Sequence, residues 1–320
     1  MVNTVADTAA ALARALDAPG WLALGVLLHL LNQVTRGRGW WAILRPACAH
    51  DPRLRRRDAV AAWMAGAAAA GVTFARGGDA VRVLLLGRRL PQVPASVLAG
   101  TLVAEGAGEL AGGLTLIPVA VAVGAVPVGH AVPMALGVAA LFTVAAVLAR
   151  RCHAPAVDAA GWRGRLARIL ARVGCGCGAL APAAFARRVT PWQLASRGCR
   201  LAALGCFLAA FGLPVTPAAI LLVIFAQGGG RLVPFAPASV GAGAAMLAAA
   251  FGPVTGTPVP TADVAAFFVG TSAVLTVAGT LVATAICLRA AQASQKAGWS
   301  LRLGAATRRV RARVAAVPRT

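Results

Sequence analysis

Tyrosine is absent from this chain, acidic residues number only nine in 320, and all but one of the 31 basic residues are arginine, Lys296 being the exception. The arginine excess and the missing tyrosine read as the mark of a GC-rich coding sequence rather than of chemistry. No CxxC pair occurs among the cysteines at 48, 152, 175, 177, 199, 206 and 287, which excludes the common zinc and redox spacings. Cys175 and Cys177, with Cys152 and His153 upstream, leave a metal site conceivable. Thiols in or near apolar segments, however, are commonly small inert packing residues. No metal and no cofactor are therefore expected. No HExxH segment is present, and His29 and His130 each stand apart from any nucleophile, so an intramembrane enzyme acting on lipid headgroups is not expected. The first residues, MVNTVADTAAALARALDAPG, lack a basic start, a continuous apolar core and a cleavage site, so they are not a secretory signal. Residues 1–18 read instead as an amphipathic helix lying on the membrane surface.

What the chain has is apolar length. Hydrophobic residues make up 59% of it, charged ones 12%, and the mean hydropathy is +0.77. Such a chain is an all-α, polytopic membrane bundle, with room for roughly six to eight helical segments at about 20 residues per crossing. The apolar segments run over 19–44, 59–75, 95–123, 126–149, 192–213, 217–251 and 261–288. A membrane domain thus covers 19–289, including a basic loop at 150–191, and a basic tail follows over 290–320. The net charge of +22 sits between the apolar runs, where it orients the chain and meets anionic headgroups. No aromatic-interleaved basic motif accompanies it, so no nucleic acid partner is expected. The partners expected are membrane lipids, with anionic headgroups favoured.

Positive loops stay cytoplasmic, and this fixes a parity. The loop carrying Arg45, Arg53, Arg55, Arg56 and Arg57, the 150–191 loop and the C-terminal tail are inside. The connections near Gly124, Pro214 and FGPVTGTPVPT hold no lysine or arginine and are outside. Residues 59–94 must then begin and end inside, while 217–251 must begin and end outside. Each is predicted to be a re-entrant or broken hairpin. The first bends at ARGGDA, and the second at hinge residues Gly228, Gly229, Gly230, Pro234 and Pro237. Breaks of this kind are tolerated only where protein or a wet cavity surrounds them. Two hairpins entering from opposite faces suggest an inverted repeat, as in many secondary transporters.

Charge in the apolar segments marks the candidate site. Glu105 and Glu109 lie four apart on one helix face, partway into the bilayer, where unpaired charge costs about 2.5–3.5 kcal/mol. Arg76, Arg82 and Arg231 are the partners expected to balance them. Gly77 and Gly78 permit the bend, and Asp79 is placed to cap a half-helix beginning at Ala80. These charges either pair only to hold the hairpins, or the arginines and the helix N-terminus receive a lipid phosphate.

TRGRGWWAIL, RGGDAVRVLLLGRRL, VAEGAGEL and RLVPFAPASVGAG occur in that order, and with them the chain resembles the lysylphosphatidylglycerol synthase transmembrane-region family of flippase-like membrane proteins, over about residues 21–288. Arg76, Gly78, Asp79 and Arg82 match the family's first bend, with Phe74 where a proline is usual. Glu105 and Glu109 match its acids, with Gly106 where an arginine is usual. Pro234, Pro237 and Gly241 match the late motif, and Ala244 stands where a glutamate is frequent. The resemblance implies a protein of the cytoplasmic membrane, with its C-terminus inside, that moves or handles an anionic phospholipid or a polyprenyl-linked lipid. Arg76, Arg82 and Arg231, with Gly77, Gly78 and Asp79, would engage the substrate. The alternative is a non-transporting scaffold that recruits a lipid-modifying enzyme or glycosyltransferase. The soluble aminoacyl-transferring domain that follows this region in the synthases is not seen after the basic tail, so no lysyl transfer, and no enzyme activity, is expected.

Overall fold

The computed structural model describes residues 13, 15–49, 51–72, 77–125, 161–178, 181–230 and 236–315, with scattered positions between 129 and 147. Among the described residues every regular element is a helix, and the chain is a polytopic helical membrane protein. In chain order these are α1 (Pro19–Ala47), α2 (Arg56–Val72), α3 (Gly77–Arg89), α4 (Ala95–Leu114), α5 (Leu116–Ala122), α6 (Gly161–Cys177), α7 (Pro182–Arg188), α8 (Thr190–Ala210), α9 (Pro217–Gly230), α10 (Ala236–Thr255) and α11 (Thr261–Ala315). Proline occupies the first turn of α1, α7 and α8, where its missing N–H would have no helical partner anyway.

The three connections without basic residues turn on glycines in the left-handed region, Gly124, Gly212 and Gly256. At two of them the chain closes the preceding helix with paired backbone bonds. Ala125 N donates to Ala120 O and Gly124 N to Val121 O, and Leu213 N donates to Leu208 O and Gly212 N to Ala209 O. Those bonds satisfy carbonyls that the helix ends would otherwise leave bare.

Length and composition single out two described spans that can cross a membrane, Ala95–Ala122 and Thr261–Ile286. A third is available if Gly164–Cys177 and Pro182–Arg188, bent by 53°, act as one. The helices α1 and α8, at 29 and 21 residues, are long enough at about 1.5 Å per residue, yet are less apolar than the sequence segments suggest. The reason is the polar stripe each carries, described below. Expected hairpins do form. Helices α2 and α3 pack together, as do α9 and α10, and α3 and α9 at 13 and 14 residues reach only about 20 Å, short of a hydrocarbon core of about 30 Å.

Each hairpin sits in its own apolar cluster. Trp40, Leu44, Trp63, Leu86, Leu90 and Leu98 pack α2 and α3 against α1 and α4. Phe207, Leu222, Val223, Leu247, Phe251 and Phe267 pack α9 and α10 against α8 and α11. Between the clusters runs the most extensive helix pair among the described residues, α1 with α8. Ala15 is buried in the second cluster, so the segment before α1 touches the core as well as the surface. The helix α11 continues without a break past 289, where the membrane domain was expected to give way to the tail.

A charged cavity between α1, α4 and α8

Helix α1 presents His29, Asn32, Gln33 and Arg36 at spacings of three and four, and therefore on one face. Helix α8 presents Gln193, Ser196, Arg197 and Arg200 in the same rhythm. Both stripes line one cavity of about 1290 Å³, with Glu105 and Glu109 from α4 and Gln227 from α9. Most of the rest of its wall is apolar, including Leu201, Leu204, Phe207, Phe225, Met246 and Phe268.

Arg36 is the centre of the charge. One guanidinium nitrogen donates to Glu105 at 3.0 Å and also pairs with Glu109, so a single arginine bridges both acids. The Glu105 side chain is 7% exposed and that of Glu109 36%, which makes Glu105 the structural anchor and Glu109 the acid that meets the cavity. Arg197 donates to the backbone carbonyl of Glu109, and Arg200 donates to Gln227 Oε1 at 2.9 Å. Small residues on α4 make this possible. A Cβ at Gly112 would collide with the Arg197 guanidinium, and one at Gly108 would come within 2.6 Å of Phe185.

The pairing differs from the sequence expectation in three ways. First, Glu105 and Glu109 both pair with Arg36, on the first helix, rather than with the arginines expected for them. Arg82 pairs instead with Asp79 at 2.7 Å, three residues back on the same helix, and neither residue lines the cavity. Second, α3 begins at Gly77, so Asp79 lies within its first turn rather than capping a helix that starts at Ala80. Third, Gly77 and Gly78 are helical and buried, not the bend itself. Gly78 serves close approach, since a Cβ there would come within 2.9 Å of Ala70 Cβ and would strike the Gly66 carbonyl. Likewise Gly228, Gly229 and Gly230 form the last turn of α9, and Pro237 lies in the first turn of α10. Arg76, Arg231 and Pro234 lie outside the described residues.

Trp63 on α2 joins the two arginine centres. Its ring is fully buried, with the Arg82 guanidinium carbon 3.7 Å and that of Arg36 4.9 Å from its centroid. Its indole N–H donates to Gln33 Oε1 at 3.1 Å. A desolvated guanidinium over tryptophan is worth up to about 2 kcal/mol, so the ring ties the hairpin to the cavity wall. The sequence reading missed Arg36, Arg197, Arg200 and Trp63 as parts of a site. A signal existed, because Arg197 and Arg200 fall inside an apolar segment, and Arg36 continues the stripe of His29, Asn32 and Gln33.

Residues 4–283 match the family model described as the lysylphosphatidylglycerol synthase TM region. No curated protein and no solved structure matches the chain.

Proposed function

The chain belongs to the lysylphosphatidylglycerol synthase transmembrane-region family, and from that premise we propose that it moves an anionic phospholipid or polyprenyl-linked lipid between the leaflets of the cell membrane. The observation that carries this reading is the cavity, whose large wall combines polar stripes bearing three arginines with an extensive apolar surface. At about 1290 Å³ it exceeds the roughly 300–1,000 Å³ of ordinary small-molecule sites, and its two chemistries suit a headgroup joined to hydrocarbon.

In this reading Arg197 and Arg200, one turn of α8 apart, meet the phosphate, because guanidinium forks suit its oxygens. Arg36 holds Glu105 and Glu109 so that no carboxylate repels the incoming anion at full strength. Arg82 and Asp79 brace the first hairpin. Arg76 and Arg231 keep the substrate-contacting role that the sequence assigns them. The orientation is the one the basic loops dictate, with the C-terminus cytoplasmic.

Reconstitution tests it. In proteoliposomes carrying a fluorescent anionic phospholipid in both leaflets, the native protein is expected to bring inner-leaflet probe to an external quencher. The Arg197→Ala/Arg200→Ala double variant, inserted to the same level, is expected to lose most of that exchange. Equal exchange by the two proteins rejects the assignment. No exchange by the native protein, with a stoichiometric partner enzyme co-purifying, favours the scaffold alternative.

A further inference from the structure

A chain of two hydrogen bonds fixes the protonation of a histidine. The Trp63 indole N–H can only donate, and it donates to Gln33 Oε1 at 3.1 Å. That bond orients the Gln33 amide, whose NH2 group lies 3.3 Å from His29 Nε2. An amide nitrogen donates and does not accept, so His29 Nε2 is the acceptor. The imidazole is accordingly neutral and carries its proton on Nδ1, whatever Nδ1 itself meets. His29 and Gln33 both line the cavity, while the fully buried Trp63 ring carries the guanidinium groups of Arg36 and Arg82.

From this arrangement we infer that His29 is a proton-binding site, and that a proton bound there releases Trp63 from Gln33. The inference goes beyond the lipid reading and stands whether or not the cavity takes a lipid. A proton delivered from solution takes the Nε2 lone pair that Gln33 uses, and the resulting imidazolium has two donors and no acceptor. Gln33 can then meet it only by turning Oε1 towards it. Its NH2 group would face the Trp63 N–H, donor against donor, so one of the two bonds is lost in either orientation. Proton binding is thereby linked to the seat of Trp63, which ties α2 to the cavity wall, and movement of the first hairpin alters proton binding in return. Other charged groups surround the site. Among the described residues lining the cavity they are Arg36 on the same helix, Glu105 and Glu109 on α4, and Arg197 and Arg200 on α8, and the remaining described helices contribute none. Arg82 and its partner Asp79, on α3, reach the network through the Trp63 ring. Arg56, Arg57 and Asp58 lie in the first turn of α2, more than a turn before Trp63. The rival proton sites are therefore the two glutamates, and the test separates them from His29.

Nitrogen NMR of the full-length protein in detergent, with histidine and tryptophan labelled by 15N, provides it. Replacing His50, His130 and His153 with asparagine leaves His29 as the sole histidine, and Trp63→Phe identifies the Trp63 indole by its loss. At about pH 8, His29 is expected to show a bare Nε2 and a protonated Nδ1. Between roughly pH 8 and 5 both nitrogens are expected to become protonated, and the Trp63 indole to shift with the same midpoint. His29→Gln, whose amide oxygen can accept from Gln33 at every pH, is expected to hold the Trp63 signal constant over that range, and Glu109→Gln to leave its transition in place. Gln33→Leu is expected to leave His29 titrating and to uncouple Trp63 from it. A protonated Nε2 at about pH 8, or a Trp63 signal that ignores the His29 transition, overturns the inference, and both are read without any change to His29. A Trp63 transition that persists in His29→Gln overturns it as well, and its disappearance in Glu109→Gln would assign the proton to the acids.

Discussion

At the residue scale the molecule depends on Arg36, because it bridges both of the chain's glutamates at once. Removing one partner from a buried pair leaves the other charge unpaired and costs about 3–5 kcal/mol, whereas replacing the whole set with neutral groups costs far less. Arg36→Met is therefore expected to lower the melting temperature in detergent sharply, and Arg36→Met/Glu105→Gln/Glu109→Gln to recover most of the loss. A triple variant no more stable than the single one would show that the ion bridge is not what holds α1 to α4. Trp63 makes a second residue-scale prediction. Trp63→Phe keeps an aromatic face for Arg82 and Arg36, while Trp63→Leu removes it. The leucine variant is expected to be the less stable by about 1–2 kcal/mol in chemical denaturation, and equal losses would assign Trp63 to packing alone. Cys48, in the connection after α1, makes a third. Burial, with Asp51 nearby, pushes its thiol up to about 11, and it is 4% exposed. At pH 8 only about one part in a thousand is thiolate, so Cys48 is expected to resist maleimide until the protein is unfolded, as mass mapping of labelled peptides would show.

At the element scale the decisive contact is α4 against α6. A Cβ at Gly100 would strike the Val173 carbonyl and lie 3.0 Å from the Gly176 Cα, and Cys177 Sγ lies 3.2 Å from the Gly100 carbonyl oxygen. Backbones approach this closely only where side chains are missing. Gly106, on the same helix, meets nothing within 4 Å. Gly100→Ala is expected to cost several kcal/mol or to prevent folding, and Gly106→Ala to leave the melting temperature within a degree or two. A tolerated Gly100→Ala would contradict the tight crossing. The glycine content of this helix was evident in the sequence, but nothing local distinguishes a glycine that admits a backbone from one that faces open space. Only the neighbour decides that. The same holds for Gly78, which looks like part of a bend and instead lets α3 lie against α2.

At the scale of the whole molecule, basic residues crowd some connections and are missing from those near Gly124, Pro214 and FGPVTGTPVPT, and the proposed orientation rests on that asymmetry. A membrane-impermeant thiol reagent is expected to label a cysteine introduced at Thr257 from outside the cell and one introduced at Arg53 only in inverted vesicles, both in a cysteine-free background. The reverse pattern would invert the topology. The class of the molecule and its hairpins were legible because they rest on hydropathy and loop charge, which are sums over many residues and survive errors at any one, and its family because several motifs occur in order. The cavity was legible only in part. Glu105 and Glu109 stand out as acids in an apolar run, but their partners were sought in Arg76, Arg82 and Arg231, and Arg36 on the first helix pairs with both.

Hydropathy, loop charge and motif order by themselves determined a helical membrane protein of this family with two broken hairpins, since a bilayer admits few other solutions for such a chain. Which arginine meets which acid was decided only when α1, α4 and α8 came together. Ion pairing depends on distances of a few ångströms between residues some seventy positions apart, and no local spacing encodes them.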